Sequence, residues 1–305
     1  RAEFLAPDRV YDDYRQMFAS ERRLPEEKRI DFVAIVTPND THFPIAMAAL
    51  DAGFHVVCDK PMTLTVEDAE TLQRRVEETG LLFCLTHNYT GYPMVKAARK
   101  LVRDGELGEI RKILVEYPQG WLAAPVGSGN KQGQWRTDPE QSGISCCIGD
   151  IGSHAENLAE FITGLRITEM CADLHSFVPG RTLDDDGSIL LHFDNGARGV
   201  LMASQVAVGE ENPFRIRIYG ETAALEWCQE YPENLILKRN DAPRQLLRRN
   251  WAGRGVAGSR LPAGHPEGFF EAFANLYSDF ARHIAAHHAG EGYQPAYPTD
   301  RKSVV

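Results

Sequence analysis

Three side chains suited to moving a proton stand at two places in this chain. Lys60 lies in Asp59-Lys60-Pro61, and Asp150 and His154 lie in Gly149-Asp150-Ile-Gly-Ser-His154. An ammonium stabilises an oxygen that is becoming negative. An imidazole titrates near working pH and can act as a general base. A carboxylate four residues from the histidine shares its helical face and can orient it. Together they could take a proton from an alcohol while a hydride leaves its carbon. Each has a plainer reading. Lys60 could be a surface ion pair or a turn residue. Asp150 could be a carboxylate favoured at a helix N-terminus, with His154 an ordinary helical histidine. Asp150-x3-His154 would also supply two metal ligands, but no third ligand with zinc spacing stands nearby, so no metal is expected. Asp184-Asp185-Asp186-Gly187 lacks the alternating ligands of a calcium loop and reads as a turn before a strand.

The elements around these residues explain why they would meet a ligand. Residues 31–36 and 55–58 are continuous apolar runs, the pattern of strands buried on both faces. A helix over 41–52, stopped by Gly53, lies between them. Thr65-Val-Glu-Asp68 resembles a capping box for a helix ending near Gly80, and 81–85 is a third strand. Residues 10–19 read as the helix that enters the first of these strands. This β-α-β-α-β order predicts a parallel sheet, one half of a doubly wound fold. Such sheets bind ligands at the carboxyl ends of their strands. Thr37-Pro38-Asn39-Asp40-Thr41-His42 follows the first strand and Asp59-Lys60-Pro61 the second. The former could equally be a turn with a helix cap. Two adjacent strands delivering polar residues to one edge make a more specific signal than either motif alone.

After residue 88 the pattern changes. A helix near 94–104 precedes strands predicted over 112–117, 167–175, 188–193, 198–204, 214–219, 223–227 and 235–238. Asp194-Asn195-Gly196 is a hairpin signal. Strands in runs imply a mostly antiparallel open sheet, covered on one face by helices after Asp150 and over 267–287. The expected organisation is α/β plus α+β: a partial Rossmann domain over 1–88 and a second domain over 89–305. Trp121, Trp135 and Arg136 fall in the Gly-rich stretch 120–143, long enough to suggest a functional loop.

Bulk properties exclude other classes. With 305 residues, two domains are the default. A net charge of -10 argues against nucleic acid as a partner. The basic run 244–254 is interrupted and reads as a solvated loop. No apolar run approaches a membrane span. Six cysteines without CxxC spacing read as reduced thiols, and the chain is expected to be cytoplasmic. The Gly253-Arg-Gly255-Val-Ala-Gly258 match to G-x-G-x-x-G follows no buried strand and opens no helix, so it reads as a flexible loop.

Taken together, the motifs resemble the glucose–fructose oxidoreductase, inositol dehydrogenase and rhizopine-catabolism group, the Gfo/Idh/MocA family. Thr37-Pro38-Asn39-x-x-His42 is similar to its nucleotide motif, Asp59-Lys60-Pro61 to its Glu-Lys-Pro with Asp for Glu, and Asp150-x3-His154 to its second-domain motif. Asp185-Asp186 leading into Leu190-Leu191-His-Phe-Asp-Asn-Gly196 is similar to its sheet hairpin. The resemblance implies NAD or NADP held by Thr37, Pro38, Asn39, His42, Asp59, Lys60, Pro61 and Asn88. It implies catalysis by Lys60, Asp150 and His154 on a secondary alcohol of a sugar, inositol or related polyol. His87, Tyr89, Trp121, Trp135 and Arg136 are candidates for holding that substrate. It leaves two alternatives: elimination or glycoside cleavage through transient oxidation, and a non-catalytic sensor on the same fold. The family's glycine loop does not occur in this sequence. Roughly 60 to 90 further residues carrying it, the size of a β-α-β half, are therefore expected before Arg1. The apolar face of an open sheet further predicts a homodimer or homotetramer.

Overall fold

The computed structural model describes residues 7–250 and 256–297. Contacts divide the chain into two compact units, the first ending at Thr86 and the second running from His87 to Tyr297.

In the first unit, helix α1 (Tyr14–Glu21) precedes β1 (Phe32–Ile35), α2 (His42–Asp51), β2 (His55–Cys58), α3 (Val66–Thr79) and β3 (Phe83–Leu85). The strands form a parallel sheet in the order β1-β2-β3. All four residues of β2 are buried, as a central parallel strand requires. Thr65 caps α3 by accepting the Asp68 N–H, and Gly80 ends it at φ 66, a left-handed turn that costs glycine little. Phe18, Leu50, Phe54, Val56 and Leu72 close the core beneath the sheet.

The second unit opens with a tight turn over Asn88–Gly91 and helix α4 (Pro93–Arg103). Strand β4 (Ile110–Pro118) follows, then the short helices α5 (Lys131–Arg136) and α6 (Pro139–Ser142) inside the Gly-rich stretch. A π-helical turn (Ile148–Gly152) runs into α7 (Ser153–Thr163). Next come β5 (Ile167–His175), β6 (Asp186–Phe193), β7 (Arg198–Ser204), β8 (Arg215–Gly220), β9 (Ala224–Cys228), β10 (Asn234–Lys238) and β11 (Gln245–Arg248), and helix α8 (Phe269–His288). The sheet order is β11-β10-β9-β8-β4-β7-β6-β5. Every neighbouring pair is antiparallel except β4 with β7. Ile113, Val115, Ile189, Leu191, Leu201, Ile216, Ile218 and Trp227 point to one face and pack against Val95 and Ala98 of α4 and Leu158 and Ile162 of α7. Truncating one such aliphatic to alanine costs about 2–5 kcal/mol. The pleat sends Leu114, Val200 and Leu190, aligned across β4, β7 and β6, to the opposite face. Leu190 is 58% exposed there.

Two expectations need correction. The basic run 244–254 is not all loop: Gln245–Arg248 pair with β10 as an edge strand, where exposed charge discourages further pairing. Residues 251–254 of that run lie outside the described residues, as do Gly253 and Gly255 of the G-x-G-x-x-G match and the chain's ends at 1–6 and 298–305. The first helix spans Tyr14–Glu21, so it starts four residues later than the expected 10; Asp13 caps it by accepting from Arg15 and Gln16 N–H.

Candidate functional site

In the first unit the strand ends form one polar shelf. Thr37 and Pro38, just past β1, are exposed, while Asn39 is buried. The Thr41 hydroxyl lies 2.6 Å from both Thr37 Oγ1 and the Pro38 carbonyl. His42 is buried with Nε2 2.8 Å from the Thr37 carbonyl and Nδ1 2.7 Å from the Pro61 carbonyl. It therefore ties the loop after β1 to the loop after β2, and both ring nitrogens are spent on the protein itself. Asp59 and Lys60 are half-buried at the end of β2, and the Lys60–Pro61 peptide is cis. Asp59 accepts a hydrogen bond from the Thr86 hydroxyl, which joins the ends of β2 and β3.

In the second unit the residues after Thr86 turn inward. His87, Asn88 and Tyr89 are all buried, at 1%, 3% and 5% exposure. The Thr90 hydroxyl holds the turn by donating to the His87 carbonyl. Asn88 Nδ2 is buried without a hydrogen-bond partner, a donor whose desolvation is uncompensated in the protein alone.

His154, on the first turn of α7, is 8% exposed. Its Nδ1 lies 3.3 Å from His87 Nδ1, with the rings nearly perpendicular. Two imidazolium charges at that distance would repel. The Tyr89 ring meets His154 edge-on at 4.8 Å. Tyr89 and Tyr117 share a short hydroxyl contact, and Tyr117 donates to Asn212 Oδ1 at 3.1 Å. Tyr89 is therefore the donor to Tyr117. Burial, and then the neighbouring Tyr117, push the Tyr89 phenol well above its ordinary pKa; it stays protonated.

Asp150 sits in the π-turn, half-buried. Its Oδ2 accepts from Arg136 Nε and from Gln205 Nε2, each at 3.0 Å. The Arg136 guanidinium lies 4.2 Å from the Trp135 ring and 5.8 Å from that of Trp121. Trp121 donates to Gln119 Oε1, and Gln119 shares Asn212 with Tyr117. The unit thus brings together Asp150, Arg136, Trp135 and Trp121 in one cluster and His87, Tyr89 and His154 in another, linked through Tyr117, Asn212 and Gln119. Trp121 is 42% exposed.

Sequence reasoning passed over Gln205 and gave Asp184 and Asp185 no role at the site, reading them as a turn before a strand. Gln205 is wholly buried and also accepts from Cys146 Sγ. Asp184 clamps three successive N–H groups at the root of the π-turn. Its carboxylate accepts from Cys146 at 3.0 Å and Ile148 at 2.8 Å, and its carbonyl from Cys147 at 3.1 Å. Asp185 is fully buried and accepts from the Phe177 and Val178 N–H groups and from Arg181. Of the aspartates read as a turn, Asp184 is a bracket for the loop that carries Asp150, and Asp185 ties down the segment after β5. Among the described residues no group of three or more His, Cys, Asp or Glu side chains is placed to hold a metal.

Residues 2–100 match the family model described as an oxidoreductase family with an NAD-binding Rossmann fold, and residues 95–226 match a GFO/IDH/MocA C-terminal domain. The chain is 35% identical over 285 residues to an uncharacterised oxidoreductase of Bacillus subtilis, covering 92% of this chain and 72% of that protein. It is similar to an inositol dehydrogenase homologue of Azotobacter vinelandii, solved with NADH and myo-inositol: 37% identity, TM-score 0.86, 95% of this chain and 77% of that one. A levoglucosan dehydrogenase solved with NADH and levoglucosan shares 26% identity with a TM-score of 0.79, covering 93% of this chain and 76% of that one.

Proposed function

Because the chain belongs to the Gfo/Idh/MocA family of oxidoreductases, whose first domain is an NAD-binding Rossmann fold, we propose that it transfers hydride reversibly between NAD or NADP and a secondary alcohol of a sugar or inositol. The observation that carries this reading is His154. It is a buried imidazole on α7, set against Tyr89 and His87, in the same unit as an Asp150–Arg136–Trp121 cluster suited to a polyhydroxylated ring. The relatives solved with myo-inositol and with levoglucosan support the substrate class.

The shelf after β1 and β2 fits a nucleotide: exposed Thr37 and Pro38, and Asp59 held by Thr86. Asn88 has a buried amide still lacking an acceptor, which suits it to the same ligand. When bound, the nicotinamide supplies the hydride acceptor for oxidation and the donor for reduction. His154 takes the hydroxyl proton as general base, with His87 packed beside its ring. Lys60 supplies an ammonium for the oxygen as it gains negative charge. Asp150 binds a neighbouring hydroxyl, its carboxylate aimed by Arg136 and Gln205. Tyr89, held protonated and donating to Tyr117, does not serve as a base.

The uncovered sheet face, with Leu190, Val200 and Leu114 in register, supports assembly as a homodimer or homotetramer. Five of the six cysteines are buried thiols, which fits a reducing cytoplasm. The test is a panel of inositols, aldoses and anhydro-sugars with NAD or NADP, followed by the absorbance of the reduced nicotinamide. Turnover of one or more polyols is expected. Tight nucleotide binding with no turnover on any of them would favour the sensor reading and defeat this one.

A further inference from the structure

A polar cavity beside α8 takes no part in the chemistry above. It encloses about 390 Å³ in the second unit, at the small end of ligand pockets, and is walled by Lys96 of α4, Arg260, and Asn275, Ser278, Asp279 and Arg282 of α8. Its one carboxylate is already committed. Asp279, 5% exposed, accepts from the Tyr293 hydroxyl at 2.6 Å, the Ala296 N–H at 2.7 Å and Arg282 at 3.3 Å. Among the described residues, the Arg260 guanidinium donates to two neutral oxygens, Asn275 Oδ1 at 3.1 Å and Ser278 Oγ at 2.9 Å. These bonds use two of its five N–H groups, and among the described residues no side-chain acceptor meets the others. Lys96 is half-buried and has three donors of its own.

Three cations against one carboxylate leave the wall with two net positive charges. A monocarboxylate would cancel one of them. A phosphate monoester carries about 1.5 to 2 negative charges near neutral pH and would cancel both. We propose that this cavity is a binding site for a small phosphate-bearing ligand, recognised by Lys96, Arg260 and Arg282. Burial lowers the Lys96 pKa, with Arg282 and Arg260 adding to that effect and Asp279 opposing it. This is the signature of an uncompensated cation that a bound dianion would relieve.

Calorimetric titration with inorganic phosphate at low ionic strength tests the site, with acetate as the monoanion control and glycerol phosphate as the ester. One-site saturable phosphate binding is expected, roughly tenfold or more tighter than acetate. Glycerol phosphate binding tighter than phosphate assigns an ester as the ligand; equal binding assigns free phosphate. Lys96→Gln and Arg282→Gln should each weaken binding by roughly tenfold. Arg282 is 64% exposed, so its replacement leaves the fold intact. Absence of saturable heat, acetate binding as tightly as phosphate, or unchanged affinity in both variants would overturn the proposal.

Discussion

Replacing Asp184 by alanine should damage both stability and turnover. Its carboxylate accepts two main-chain N–H groups, from Cys146 and Ile148, at 3.0 and 2.8 Å. A hydrogen bond to a charged group is worth about 1.5–3 kcal/mol. The two bonds share one half-buried carboxylate, so they do not add in full and water can replace part of them. A loss of about 2–3 kcal/mol follows, or roughly 4–12 °C in melting temperature for a domain of this size. Asp184→Asn keeps one acceptor and should cost about half as much. The damage is also directional. Ile148 opens the π-turn that holds Asp150, and His154 follows on α7. Loosening that root should lower kcat more than it changes nucleotide affinity. Thermal melts and steady-state kinetics, with nucleotide titration alongside, read all three. An Asp184→Ala protein that melts with the wild type and turns over within twofold of it would refute the assignment of this bracket.

Two further outcomes follow from the site and the sheet. His154→Ala should lower kcat by about 10²–10⁴-fold, the usual worth of a positioned base, with nucleotide binding retained; a loss of only a few-fold would remove His154 from the proton transfer. Leu190→Glu places a charge on the uncovered face of β6, one strand in from the β5 edge, and should convert the proposed homo-oligomer to monomer by light scattering, whereas an unchanged particle mass would refute assembly through this face.

Much of the fold was legible because burial writes itself into local pattern. His55–Cys58 is a strand residue for residue, since four consecutive apolar or neutral positions buried on all sides leave little ambiguity. Thr65 and Gly80 bound α3 through chemistry internal to the helix, a hydroxyl cap and a positive φ. What the pattern could not carry was pairing at a distance. Gln245–Arg248 is a strand only because β10 offers it an edge; its own composition is that of a solvated run. The same holds at the site. Asp150 and His154 stood out by their spacing, but the partners of Asp150 are 14 and 55 residues away. Gln205 carries no local signal at all, being one polar residue after a strand. Asp184 reaches back 38 residues to the Cys146 N–H, and nothing in its neighbours announces that.

The position of β4 sets a schedule for the birth of the sheet. It lies between β8 and β7, both encoded far downstream. The first residue of β7, Arg198, follows the last of β4, Pro118, by 80 positions of chain. At about 5–20 residues per second, β4 leaves the ribosome roughly 4–16 s before any neighbour exists to pair with it. Through that interval Ile113, Val115 and Tyr117, which end in the core, have no strand beside them: β5 and β6 are made, but neither neighbours β4 in the sheet. The central strand of the sheet is thus made first and paired late, and a nascent chain stalled short of Arg198 should offer β4 to protease while one stalled well beyond Gly220 should not.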